Sequence, residues 1–120
     1  MTKKVTIYQY SKCGTCREAV KHLKRNGYEL ESVELFEKPP SAQQLAQLIL
    51  ISGLTAQQFF NVNGDVYREM NLKDKAPTMS YPDKIALMSS NGRLIRRPIV
   101  TDGNNVTVGY KASIYDEVWS

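Results

Sequence analysis

The stretch Val5-Thr6-Ile7-Tyr8-Gln9-Tyr10-Ser11-Lys12-Cys13-Gly14-Thr15-Cys16-Arg17 decides the fold. Val5, Ile7 and Gln9 alternate with Thr6, Tyr8 and Tyr10, and this β-branched and aromatic run predicts a buried first strand over 5–10. Residues 11–15 read as a loop. A helix is predicted over 17–25, with Ala19, Val20 and Leu23 as its apolar stripe, and Asn26-Gly27 stops it. The chain's only two cysteines therefore sit, three apart, where a strand hands over to a helix. That position has a chemical consequence. Free N–H groups and the helix dipole at a helix N-terminus favour a thiolate over a thiol, and the thiolate is the reactive species. A Cys-x-x-Cys at such a junction is a usual place for thiol–disulfide chemistry.

Outward from this stretch, residues 28–36 predict a second strand carrying Leu30 and Val33. Strand, helix and strand with short joints make a βαβ unit with parallel pairing. Pro39-Pro40 ends the strand signal, and the middle of the chain is helical. Ser41-x-x-Gln44 has the form of a capping box ahead of Leu45, Leu48 and Ile49, and Gly53 ends that helix. Thr55-x-x-Gln58 opens a second through Phe59-Phe60, a third short helix is expected over 66–72, and Ser80-x-x-Asp83 begins a fourth that Asn91-Gly92 closes. Strand signals return at Leu94-Ile95, Ile99-Val100 and Val106-Thr107-Val108, the last two joined by the turn cluster Asp102-Gly103-Asn104-Asn105. An amphipathic segment with Ile114, Tyr115, Val118 and Trp119 follows. The order β-α-β, helices, β-β-α predicts an α/β protein with a thioredoxin-like core and a helical insertion. We expect a single domain over 1–120, its core at about 1–37 and 92–120 and its insertion at about 38–91.

With 120 residues, 42% of them hydrophobic, the chain can build a core without needing a metal or a disulfide. The net charge of +4 and pI near 9.1 are mildly basic, and the charges form no long run, so no direct nucleic-acid contact is expected. The apolar run after Lys3-Lys4 is too short for a signal peptide, and residues 45–54 are too short to span a bilayer. The expectation is a cytoplasmic protein with no membrane partner. In a reducing compartment a close cysteine pair points to transient redox chemistry more than to a permanent staple.

Cys13 is the expected nucleophile, because it lies outside the helix, and Lys12 and Arg17 are near enough in sequence to add positive potential. Cys16, one turn in, is placed to attack a mixed disulfide at Cys13. Gly14 and Thr15 complete the loop that would bring backbone N–H groups to a substrate. The plainer alternatives are a structural disulfide or two inert thiols. No metal site is expected: zinc takes four ligands, and the one further soft candidate, His22, lies between Lys21 and Lys24 on a face that reads as solvated. Arg97-Pro98 precedes a strand. The proline is compatible with a cis bond, and one of Arg96 and Arg97 would face the thiolate or an anionic substrate while the other faces solvent. Tyr8, Tyr10 and Tyr110 are candidates to border the site.

Three segments carry a family resemblance: Tyr8 to Arg17 around Lys12-Cys13-Gly14-Thr15-Cys16-Arg17; more loosely Phe59-Phe60-Asn61 to Leu72; and Leu94-Ile95-Arg96-Arg97-Pro98-Ile99 through Val106-Thr107-Val108-Gly109-Tyr110. On these the chain resembles the arsenate-reductase-like (ArsC/Spx) group of thioredoxin folds, and within it the small YusI-type members. The resemblance implies Cys13 as nucleophile, Arg97 as active-site arginine and a cis Pro98, with Lys12, Gly14, Thr15, Arg17 and Pro98 lining the substrate. Arsenate reductases of the group bind the oxyanion through three arginines. Their positions fall here on Arg97, Asn61 and Tyr110, and serine usually stands there in place of Cys16, so arsenate is the less favoured substrate. The leading expectation is a thiol–disulfide oxidoreductase without a tightly bound cofactor, using glutathione as co-substrate or glutaredoxin or another protein thiol as partner. The alternative is an Spx-like redox-sensing regulator that contacts the carboxy-terminal domain of the RNA polymerase α-subunit. For that contact Gly53 is a weak match to the family's glycine.

Overall fold

The computed structural model describes residues 3–120. In chain order its elements are β1 (Lys3–Gln9), α1 (Gly14–Arg25), β2 (Tyr28–Glu34), α2 (Ala42–Ser52), α3 (Asp65–Glu69), α4 (Leu72–Lys75), α5 (Tyr81–Ser90), β3 (Ile99–Thr101), β4 (Val106–Val108) and α6 (Ala112–Val118). Single 3-10 turns stand at Ala56–Phe59, Ala76–Thr78 and Gly92–Leu94. The chain divides into two units, one formed by the residues up to Glu34 with Arg97–Ser120, the other by Leu35–Arg96.

The first unit is a four-stranded sheet in the order β2-β1-β3-β4 with α1 and α6. β1 runs parallel to β2, as the βαβ pattern requires, and antiparallel to β3, which pairs antiparallel with β4. Tyr8 lies opposite Ile99, and Ile99 opposite Val108. This register brings the end of β1, the start of β3 and the end of β4 to one edge of the sheet, the edge at which the chain enters α1. The core follows the sequence pattern. Val5 and Ile7 from β1, Ala19 and Leu23 from α1, Val100 from β3, and Tyr115 and Trp119 from the C-terminal segment form one buried cluster. Ala19 and Leu23 stand four apart, on one face of α1. A buried indole N–H needs an acceptor, and Trp119 Nε1 donates to Thr107 Oγ1 at 2.9 Å.

In the second unit the capping signals act as read. Ser41 Oγ accepts from the Gln44 N–H at 3.1 Å while Gln44 Oε1 accepts from the Ser41 N–H at 3.0 Å, closing the box that starts α2. Gly53 ends α2 in the left-handed conformation, φ 73°, which a side chain rarely adopts. Ser80 Oγ accepts from the Asp83 N–H at 3.2 Å and caps α5, which packs on α2. Three expectations are corrected. The helix opened by Thr55 is one 3-10 turn, because Phe60 turns extended and bridges to Ile95. The helix expected over 66–72 is two short helices, α3 and α4, parted at Asn71, which takes φ 55°, a conformation Asn tolerates better than most residues. Leu94 lies in a 3-10 turn, and Ile95 makes one isolated bridge in place of a strand. Gly92 is needed for a different reason from Gly53: a Cβ there would stand 1.8 Å from the Leu35 carbonyl oxygen.

Among the described residues no helix is long and apolar enough to cross a membrane.

Candidate active site

The sequence reads a helix from residue 17, but α1 begins at Gly14 and Cys13 is its N-cap, extended at φ −86°, ψ 128°. Gly and Thr are weak helix formers, and in the first turn position matters more than propensity. The entry is fixed by two backbone bonds: the Cys13 N–H donates to Tyr10 O at 2.9 Å, and the Arg17 N–H donates to Cys13 O at 3.0 Å. Both cysteines are free thiols, Cys13 half-buried and Cys16 fully buried.

The two sulfurs are electrostatically unequal. Partial burial pushes the Cys13 thiol up, but this is outweighed by the Cys16 N–H, the Cys16 thiol, the Thr15 N–H and the Arg97 guanidinium, which together hold it below the ordinary thiol range. The N–H groups concerned belong to the second and third residues of α1, the groups a helix start leaves without a helical partner. Cys16 goes the other way. Burial pushes it up to about 12 against the help of the Tyr10 N–H, and the neighbouring Cys13 thiolate adds to the rise. The pair thus favours the anion on Cys13 over one on Cys16, which keeps its proton.

Arg97 reaches Cys13 from the segment leading into β3, and its guanidinium also stands 5.8 Å from the centroid of the Tyr10 ring. The Arg97–Pro98 bond is cis. Arg96 is exposed. Lys12 and Arg17 are exposed as well, and Arg17 Nη2 donates to the Lys12 carbonyl at 3.1 Å, so this cation braces the loop. A Cβ added to Gly14 would meet nothing within 4 Å. Neither crowding nor φ demands glycine there; bare space is left beside the nucleophile. Thr15 contributes its N–H and is exposed.

His22 corrects the sequence reading. The residue expected in solvent is buried, its Nδ1 2.9 Å from Tyr110 Oη and its Nε2 2.8 Å from Asp116 Oδ1. It lies three residues after Ala19 and one before Leu23, on the edge of the apolar stripe, which the flanking Lys21 and Lys24 disguise. With both ring nitrogens engaged it offers no lone pair to zinc. Among the described residues no group of three His, Cys, Asp or Glu is placed to hold a metal ion. Sequence reasoning also missed Asp116, for which there was no signal short of a partner for His22, and the role of the Tyr10 main chain at Cys16. Tyr110, expected beside the site, packs edge-on against Tyr115 with centroids 4.8 Å apart. Tyr8 is partly buried, and burial with the nearby Glu31 carboxylate pushes its phenol up.

A four-stranded sheet in this order with a Cys-x-x-Cys at the start of its first helix is a thioredoxin-like fold, and solved structures of the arsenate-reductase kind share it. An ArsC-family-related protein from Bacteroides fragilis superposes with a TM-score of 0.92 at 36% identity, covering 98% of each chain. The arsenate reductase of Vibrio cholerae gives 0.87 at 27% identity over 98% of this chain and 99% of that one. Residues 8–118 match the ArsC family model, and the chain belongs to the ArsC family. It is 46% identical to the YusI protein of Bacillus subtilis (strain 168) over 116 residues, 97% of this chain and 98% of that protein. The family's wider relatives include both arsenate reductases, such as that of Rhizobium meliloti (strain 1021), and the Bacillus subtilis regulators MgsR and Spx.

Proposed function

We propose that this protein is a cytoplasmic thiol–disulfide oxidoreductase whose Cys13 and Cys16 reduce a disulfide. The observation that supports it most is the divided pair: a Cys13 sulfur held below the thiol range by the start of α1 and by Arg97, beside a Cys16 that keeps its proton. The Cys13 thiolate attacks one sulfur of the substrate disulfide. A Cys13–substrate disulfide forms, the substrate S–S bond breaks, and the first thiolate leaves. Cys16 then gives up its proton and attacks the Cys13 sulfur. The second substrate thiol departs, taking up a proton, and the Cys13–Cys16 disulfide remains. Two electrons have passed to the substrate, and an external thiol, glutathione or a glutaredoxin-type protein, returns them. Arg97 lowers the charge penalty at Cys13 and offers a guanidinium to an acidic group of the substrate, such as a carboxylate of a glutathione mixed disulfide. Lys12, Gly14, Thr15, Arg17 and Pro98 border the approach to Cys13.

The test is turnover of a glutathione mixed disulfide by the reduced protein. Activity is expected to vanish in Cys13→Ser, and Cys16→Ser is expected to stop at the mixed disulfide, visible as one added glutathione by mass spectrometry. No turnover with any disulfide, together with ordinary Cys13 reactivity, would sink the proposal.

A second reading is favoured by the similarity to MgsR and Spx, each 24% identical. In it the same pair senses oxidation, and the protein binds the carboxy-terminal domain of the RNA polymerase α-subunit. Stoichiometric binding of that domain, altered when Cys13 and Cys16 are oxidised, would select it. Arsenate reduction is disfavoured: Tyr110 stands at one of the arginine positions, and its hydroxyl is engaged by His22.

A further inference from the structure

The mechanism above leaves unused the one buried imidazole of the chain. In a helix interior an apolar side chain fills such a place without needing partners, whereas a buried histidine must satisfy two nitrogens. His22 does so with groups from two other segments: Tyr110, which follows β4, and Asp116 on α6. The geometry also fixes one proton. A carboxylate only accepts, so Nε2–H donates to Asp116 Oδ1, while the Tyr110 hydroxyl completes the hydrogen bond at Nδ1. A chain of hydrogen bonds therefore links Tyr110, His22 and Asp116.

What this chain holds is the Gly109–Tyr110 turn. The Gly109 N–H donates to Pro98 O at 2.8 Å, and Tyr115 Oη donates to Gly109 O at 3.2 Å. Tyr110 and Tyr115 both pack their rings on His22, with centroids 5.7 and 5.5 Å away. Pro98 is bonded covalently to Arg97, and Arg97 stabilises the Cys13 thiolate. A continuous set of bonded contacts thus runs from α1, through α6 and the turn, back to the cation at the start of α1. Polar networks of this kind are directional and fix one arrangement where apolar packing allows several.

We propose that His22 and Asp116 are positioning residues: acting through Tyr110, they hold the Gly109–Tyr110 turn, and with it Arg97, in place against Cys13. The inference rests on the redox reading of Cys13 and Arg97, and it adds that the reactivity of the first cysteine is set in part from the far end of the same helix.

Two measurements test it. His22 is the only histidine, so the nitrogen-15 spectrum of its ring is free of overlap. The expected result is a hydrogen-bonded proton on Nε2; a ring bare at Nε2, or the averaged signals of a solvated ring, overturns the assignment. The second is the pH profile of Cys13 alkylation in the reduced protein, read in Tyr110→Phe and Asp116→Ala. Each is expected to slow alkylation about threefold at pH values below the midpoint, equivalent to a midpoint raised by about half a pH unit. Asp116→Asn, whose amide oxygen still accepts from Nε2, is expected to restore the profile. In an Arg97→Ala background the effects of Tyr110→Phe and Asp116→Ala are expected to disappear, since contacts that act through one residue are not additive with its removal. Lowered melting temperatures with an unchanged profile mean that the network is structural only, and overturn the proposal. If Arg97→Ala itself leaves the profile unchanged, the fault lies with the redox reading of Arg97; if Arg97→Ala moves it while the other two do not, the fault lies with this inference alone. Asp116 is exposed and its replacement leaves the core untouched, so the test survives if Tyr110→Phe fails to fold.

Discussion

Replacing Cys16 by serine removes a buried thiol displaced from about 9 to about 12, and the displacement carries a measurable free energy. Well below pH 9, folded and unfolded chains both keep the Cys16 proton, and its contribution to stability is fully present. Between pH 9 and 12 the unfolded chain has lost the proton while the folded chain keeps it, so stability falls as pH rises, by about 1.4 kcal/mol per pH unit for one proton. Over that whole interval the loss is about 4 kcal/mol, a large share of the ~5–15 kcal/mol that holds a domain of this size together. Cys13 has the opposite sign. Its folded thiol is held low, so its contribution is complete above the unfolded value and is lost only as pH falls through the folded one. Burial also raises Tyr115 and Tyr8; that part is common to both proteins and cancels in a difference, leaving only the smaller push of a Cys16 charge on Tyr115. The assay is urea unfolding from pH 9 to 11 with a non-thiol reductant, wild type against Cys16→Ser. Relative to the variant, the wild type is expected to lose about 2–3 kcal/mol over that range. Parallel curves would refute the reasoning, because they would mean that Cys16 meets water freely enough to ionise at its usual pH.

Other outcomes follow from single contacts. Arg97→Ala removes a charge-assisted partner of Cys13 at a half-exposed site, and is expected to cut the alkylation rate below the midpoint about fivefold, roughly 1 kcal/mol, while leaving the rate at alkaline pH unchanged. Gly92→Ala would drive a methyl group into the Leu35 carbonyl and should lower stability by at least about 2 kcal/mol in denaturant titration; a loss within error would show that the backbone relaxes there easily. Ser41→Ala opens the capping box of α2 and should cost about 1 kcal/mol by the same titration, with Ser41→Asp recovering most of it.

Most of the fold was legible because its signals are local. The alternation at Val5, Ile7 and Gln9, the capping residues Ser41 and Ser80, and the stops at Gly27 and Gly53 each act within a few residues, and each appears where the sequence puts it. The failures have different causes. Phe60 leaves its helix because Ile95, distant in sequence, offers a bridge, and Leu94 turns where a strand was expected because Asn91 caps a local 3-10 turn. In the site, Cys13, Cys16 and the Arg97–Pro98 element were readable from spacing and from resemblance. His22 was not. Two flanking lysines made a half-polar helix face look solvated, and the carboxylate and phenol that justify its burial come from the last eleven residues of the chain. Lys12 and Arg17 were weighed as charges near a sulfur, but a neighbour in sequence at a helix start points along the loop as easily as toward the thiol, and Arg17 takes the loop carbonyl.

The seat of Trp119 equips the molecule for observation. It is the chain's only indole, shut away from water, edge-on to Tyr28 at 6.0 Å and tethered through its nitrogen to Thr107. Excited at long wavelength, it emits from the half of the protein that carries both sulfurs and from nowhere else. Oxidation, loosening or docking in that half is thus open to a fluorimeter without any dye, and silence from that signal during a change elsewhere is equally informative.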